Sequence, residues 1–105
     1  MKVTIIGQGY VGLTLATTAA KCGYKVTGFD VNEKTVINLN RNESRVEGIT
    51  QEDLAISNYQ ATSDPSEIDG SDIVIIAVPT PLDVNRKPDL KYLNDSCETI
   101  GKHLK

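Results

Sequence analysis

The sequence predicts an α/β fold, a parallel sheet with helices packed on its faces, and three observations carry that reading. Short β-branched runs alternate with longer stretches whose apolar residues recur at three- and four-residue spacing. The run Ile73-Val74-Ile75-Ile76-Ala77-Val78 is apolar without alternation, the pattern of a central parallel strand covered on both faces. Between the first strand and the first helix stands Gly7-Gln8-Gly9-Tyr10-Val11-Gly12, a glycine turn of the kind that feeds a helix back onto such a sheet.

The elements follow in order. Lys2-Val3-Thr4-Ile5-Ile6 is β-branched, ends at a glycine and reads as a buried strand. From Tyr10 to Cys22 the period turns helical, with Val11, Leu13, Leu15, Ala16 and Ala19 expected on one apolar face and Gly23 supplying the left-handed closing turn. Tyr24 to Asp30 reads as a second strand, and Asn32 as the N-cap of a helix through Val36, Ile37 and Leu39. The segment from Arg41 to Thr50 is polar and irregular. Thr50 with Asp53 resembles a capping box, Asp standing in for the usual Glu or Gln, at the head of a short helix through Leu54 and Ile56. Tyr59 to Thr62 is the third strand, and Asp64-Pro65-Ser66-Glu67-Ile68 a single helical turn with Pro65 first. After the fourth strand, residues 79–88 hold three of the 4 prolines and form a loop at the strand's carboxyl end, where open α/β sheets bind ligands. A last helix starts at Asp89, with Leu90, Leu93, Cys97 and Ile100 at helical spacing.

A chain of 105 residues with 39% hydrophobic and 24% charged residues is sized and composed for one folded domain, which argues against a disordered tail. Its net charge of -3 leaves no surplus cation for a phosphate backbone, so nucleic acid is excluded as an expected partner. The longest apolar run falls far short of the roughly 20 residues of a membrane span. With no cleavable signal before the first strand, the expected location is cytoplasmic, with no membrane partner. Cys22 and Cys97, with His103 the single histidine, match no metal-ligand spacing and are expected as reduced thiols packed in the interior; no metal site is expected.

Gly7-x-Gly9-x-x-Gly12 is the dinucleotide fingerprint of a Rossmann-type sheet. Gly7 permits the tight turn off the strand, Gly9 lets a pyrophosphate approach the backbone, and Gly12 lets the helix pack closely on the sheet. Asp30, about 20 residues further on at the end of the second strand, is placed to accept hydrogen bonds from the hydroxyls of an adenosine ribose. Its charge would repel the 2′-phosphate of NADP, which makes NAD the expected cofactor. The competing reading is that Asp30 caps the next helix. Tyr10 and Val11 are expected to face phosphates through their backbone N–H groups. Val78, Pro79 and Thr80 are expected to line the same crevice, with Thr80 donating to the cofactor or simply stabilising its turn. Arg86, Lys87 and Lys91 either meet an acidic ligand or form solvated surface. No residue presents itself as catalytic.

Taken together, Ile6-Gly7-Gln8-Gly9-Tyr10-Val11-Gly12-Leu13, Val26-Thr27-Gly28-Phe29-Asp30, and the pair Val78-Pro79-Thr80-Pro81-Leu82 and Arg86-Lys87-Pro88-Asp89-Leu90 resemble the UDP-glucose/GDP-mannose dehydrogenase family. The resemblance runs the whole chain, and its last pair is the most specific. It implies an enzyme that oxidises C6 of a UDP-sugar to a uronate in two NAD-dependent steps. The proline-rich loop is most similar to the members acting on UDP-N-acetylhexosamines for surface polysaccharides, and Tyr10, Val11, Asp30 and Thr80 are implied cofactor contacts. Two departures stand out. Thr35 occupies a place where many members carry Lys or Arg, which puts an adenosine-side contact in doubt. Gln8 replaces the commoner Leu or Thr, with little consequence expected because the backbone carries that position.

The family's long central helix, second Rossmann-like domain and catalytic cysteine have no counterpart here, and neither Cys22 nor Cys97 matches that cysteine. About four strands appear where the doubly wound fold carries about six. Residues 1–105 are therefore expected to be a partial N-terminal dinucleotide-binding domain that does not oxidise a sugar by itself, its open sheet edge a surface on which two copies could form a homodimer. An alternative class is a stand-alone nucleotide-sensing module like the regulatory domains of potassium channels; a further one is a 3-hydroxyacid-type dehydrogenase. Neither accounts for Pro79-Thr80-Pro81-Leu82.

Overall fold

Alternation along the first strand divides the protein into two cores. The structure, a computed structural model, describes residues 1–43, 48–55, 58–78, 84–87 and 90–103. Its elements are β1 (Lys2–Ile6), α1 (Tyr10–Lys21), β2 (Lys25–Phe29), α2 (Glu33–Asn40), α3 (Gln51–Leu54), β3 (Tyr59–Thr62), a 3₁₀ turn over Pro65–Ile68, β4 (Ile73–Ile76) and α4 (Lys91–His103). All strand pairs are parallel, in the order β3-β2-β1-β4, which is the opening half of the doubly wound order. Register places Ile6 beside Phe29 on one side and Ile76 on the other, so three strands end at one rim.

Val3 and Ile5 point to the face covered by α1, α2 and α3, where they pack with Leu13, Ala16, Ala20, Val26 and Ala61. Ile6 points the other way, into a smaller core with Phe29 and Ile68 that Ile100 of α4 closes from outside. On that second face Thr4 is also buried, its hydroxyl 2.6 Å from that of Ser71, so the polar group costs little.

Local signals set the helix ends. At the end of α1, Tyr24 N–H donates to the Ala19 carbonyl and Gly23 N–H to that of Ala20, with Gly23 at φ 96°, which makes a Schellman motif. Asn32 accepts the Thr35 N–H at 3.2 Å and caps α2, while Thr50 and Asp53 exchange both bonds of a capping box. The helix turn at Pro65 is 3₁₀ in geometry, with Asp64 accepting from Ser66.

Among the described strands β4 pairs with β1 and Ile73 is 43% exposed, while β1 lies between β2 and β4 with Ile5 fully buried. Three expectations are corrected. The buried face of α1 is Gly12, Leu13, Ala16, Thr17 and Ala20, whereas Val11 and Leu15 are exposed. Gly12, Ala16 and Ala20 let the helix approach the sheet closely, and Leu13 packs into the core beside them. On α4 the covered residues include Leu93, Ser96 and Ile100, with Cys97 facing out, and Leu90 just ahead of the helix is exposed. Both cysteines are free but exposed rather than packed inside, Cys22 at the helix cap and Cys97 on the outer side of α4. Ile56, expected in the third helix, lies outside the described residues. No described helix is long and apolar enough to cross a membrane.

Lys21 at the end of α1 pairs with Asp53 of α3 at 2.5 Å, fastening the short helix to the main layer. This ammonium, and next the Thr50 N–H, hold the Asp53 carboxyl below its ordinary value of 3.8. A depressed carboxyl stabilises the fold above the unfolded value and ceases to do so as pH falls through the folded one. Asp53→Asn should therefore be less stable than the parent in urea titrations at neutral pH, the difference shrinking as pH falls below the ordinary carboxyl value and through the folded one.

Candidate functional site

The strand order reverses between β1 and β4, because the crossovers from β1 to β2 and from β2 to β3 step outward on one side and the connection from β3 then returns past β1 to the far side. Such a switch point opens a crevice at the carboxyl ends of the strands. Here it is a cleft of about 810 Å³. Gly7, Gly9, Tyr10 and Val11 line one wall, Asp30 and Val31 the end of β2, Ala77 and Val78 the end of β4, and α4 the opposite side.

The glycines divide the work as their spacing suggests. Gly7 N–H donates to the Phe29 carbonyl at 2.7 Å, its φ is 94°, and a Cβ there would stand 2.6 Å from the Ala77 carbonyl oxygen. A Cβ on Gly12 would run into the Gly7 carbonyl itself. At Gly9, by contrast, a Cβ would meet nothing within 4 Å, so the space in front of the backbone is open to the cleft. Gly9 is also the N-cap of α1, with no side-chain cap, and Leu13 is the first amide to reach its carbonyl, at 2.9 Å. The amides of the first turn thus remain as donors at the positive end of the helix, a ready seat for an anion.

Asp30 closes this wall. Its Oδ2 accepts the Gln8 N–H at 2.9 Å, and its Oδ1 accepts the Asn32 N–H at 2.9 Å. The capping of α2 belongs to Asn32, so the helix-cap reading of Asp30 does not hold. Each carboxylate oxygen keeps a second lone pair for a ligand donor. Thr35, the departure noted above, lines the cleft beside Asn32.

Gln8 differs from expectation. Its side chain is 3% exposed, donates to the carbonyls of Ile5 and Gly7, and accepts from the Tyr59 hydroxyl at 2.7 Å. The backbone does not carry the position alone. The last helix adds Lys91, Tyr92, Asp95, Ser96 and Thr99 to the cleft. Of these only Lys91 was singled out by sequence; the polar stripe from Tyr92 to Thr99 at three- and four-residue spacing was the available signal. Pro79 and Thr80 lie outside the described residues, while Val78 lines the cleft as expected.

This is the arrangement of a dinucleotide-binding Rossmann domain. The chain belongs to the UDP-glucose/GDP-mannose dehydrogenase family, whose NAD-binding domain matches residues 1–105. It is 41% identical to Protein CapL of Staphylococcus aureus over 100 residues, which cover 95% of this chain and 23% of that protein. It is 39% identical to the UDP-N-acetyl-D-glucosamine 6-dehydrogenase of Salmonella typhi, over 99% of this chain and 24% of the relative. Among solved structures, the UDP-D-ManNAc dehydrogenase of Pyrococcus horikoshii superposes with a TM-score of 0.90 at 30% identity, over 98% of this chain and 26% of that one. The chain spans about a quarter of the length of the curated relatives it matches. The cofactor of this domain is NAD.

Gly12→Ala should destabilise the fold by about 2 kcal/mol or more, since the obstacle is backbone and does not swing aside. Urea unfolding of the purified protein measures it.

Proposed function

We propose that residues 1–105 form the NAD-binding part of a nucleotide-sugar 6-dehydrogenase that converts C6 of a UDP-sugar, a UDP-N-acetylhexosamine, to a uronate. The observation that carries the reading is the open floor over Gly9 at the head of α1, on the same rim as the Asp30 carboxylate. The residues present fit the cofactor: a Cβ-free approach, first-turn helix amides facing the cleft, and a carboxylate acceptor on the same rim. The amides of Gly9, Tyr10 and Val11 would hold the pyrophosphate. Asp30 would take the ribose hydroxyls through its remaining lone pairs and repel a 2′-phosphate. Gly7 and Gly12 act by letting the turn and helix sit where they do, and Val78, Pro79 and Thr80 would border the nicotinamide side. Acceptance of hydride is the chemistry NAD supplies when bound.

The choice of a UDP-N-acetylhexosamine is supported by the name of the Salmonella typhi relative and by Val78-Pro79-Thr80-Pro81-Leu82 with its downstream Pro88-Asp89-Leu90. Neither Cys22 nor Cys97 lines the cleft, so a nucleophile for the sugar is not among the described residues of the site. We place that chemistry in the part of the relatives beyond the matched quarter.

Calorimetry should detect NAD binding, with NADP weaker. Asp30→Ala should weaken NAD by about tenfold or more, as expected for hydrogen bonds to a charged group, and narrow the gap to NADP. Gly9→Ala should abolish NAD binding while costing no more than about 1 kcal/mol of stability. A parent protein that binds none of these nucleotides would rule the reading out.

A further inference from the structure

The side chain of Gln8 is the one part of the glycine loop that turns inward, and everything it touches belongs to the frame of the cleft. Its Nε2 donates to the Gly7 carbonyl at 3.0 Å and to the Ile5 carbonyl at 3.2 Å. Through its own N–H it also holds Asp30. Its Oε1 receives the hydroxyl of Tyr59, which reaches across from β3. Space for this bridge exists because β2 carries Gly28 at the crossing: a Cβ there would stand 2.8 Å from the Tyr59 hydroxyl and would collide with the Gln8 amide. Tyr59 is 8% exposed and does not line the cleft. Burial, and next the charge of Asp30, push its hydroxyl far above its ordinary value, so it stays a donor at any working pH.

We propose that the buried Tyr59–Gln8 hydrogen bond is a positioning device that holds the anion seat at Gly9 and the carboxylate of Asp30 in one fixed relation, and so sets NAD affinity from a strand the cofactor does not touch. The proposal rests on the reading of the cleft as the NAD site. Gln8 supplies three bonds from its side chain, two to backbone carbonyls and one from Tyr59, and each removes a freedom of the loop. A loop held before the ligand arrives pays no ordering cost on binding. Direct contact with the cofactor is not available to Tyr59, so any effect of its hydroxyl on affinity passes through Gln8.

Stability and affinity can be separated by three variants of the protein at its natural length: Tyr59→Phe, Gln8→Leu and the double variant. NAD affinity is read by calorimetry and melting temperature without ligand. Tyr59→Phe keeps the ring packing and should lose about fivefold in NAD affinity, the worth of one net hydrogen bond. Gln8→Leu should lose about tenfold and also melt lower, because it leaves the Tyr59 hydroxyl buried without a partner. In the double variant no Tyr59 hydroxyl is left without a partner, although the Ile5 and Gly7 carbonyls still lose the Gln8 amide. Its melting temperature should return towards the parent's while its NAD affinity stays about tenfold weak. A double variant that regains parental affinity together with parental melting would overturn the proposal and leave the NAD site standing. If the parent binds no NAD, the site reading falls and this proposal with it.

Discussion

The Gly7 carbonyl lies so close to the head of α1 that no side chain can stand at position 12, and the rest of the site depends on that contact. It sets the height of the helix above the sheet. Once the first turn is pressed against the end of β1, the small residues Ala16 and Ala20 must follow inward, and Val11 and Leu15 must turn out. The same pressure aims the first-turn amides past Gly9 into the cleft instead of into protein. A larger residue at position 12 would lift the helix, and with it the donors that make the seat.

Around that contact the polar groups of the rim are tied to one another before any ligand is present. Asp30 is held by two backbone amides, Gln8 by two carbonyls and a phenol, and among the described residues no buried side-chain polar atom lacks a partner. Such a network is rigid because each member fixes the next, and a half-satisfied one would cost more than an apolar core. The carboxylate beside an anion seat is not a contradiction. In the proposed site the two groups serve different parts of one ligand.

The site was readable in outline because its main parts are backbone devices with residue requirements. A positive φ at Gly7 and a close approach at Gly12 each demand glycine, and the open floor at Gly9 asks for it only through the proposed ligand, so the spacing shows in the chain. The side-chain parts were less visible. Gln8 looked incidental because its partners Ile5, Gly28 and Tyr59 come from three strands, and the contribution of α4 depends on how that helix packs on the 3₁₀ turn at Pro65.

What the sequence determined by itself was everything decided within a few residues. Strand-turn-helix order, the caps at Asn32 and Thr50, the Gly23 stop and the glycine seat rest on φ/ψ preference and on hydrogen bonds that close within one turn. The tertiary structure decided which face each element shows. Val11 and Leu15 are as apolar as the residues on the buried face of α1, yet they turn out to solvent. Hydrophobic pattern states that a segment is to be covered; only the packing of the other elements settles by what, because that is a sum over contacts distant in the chain.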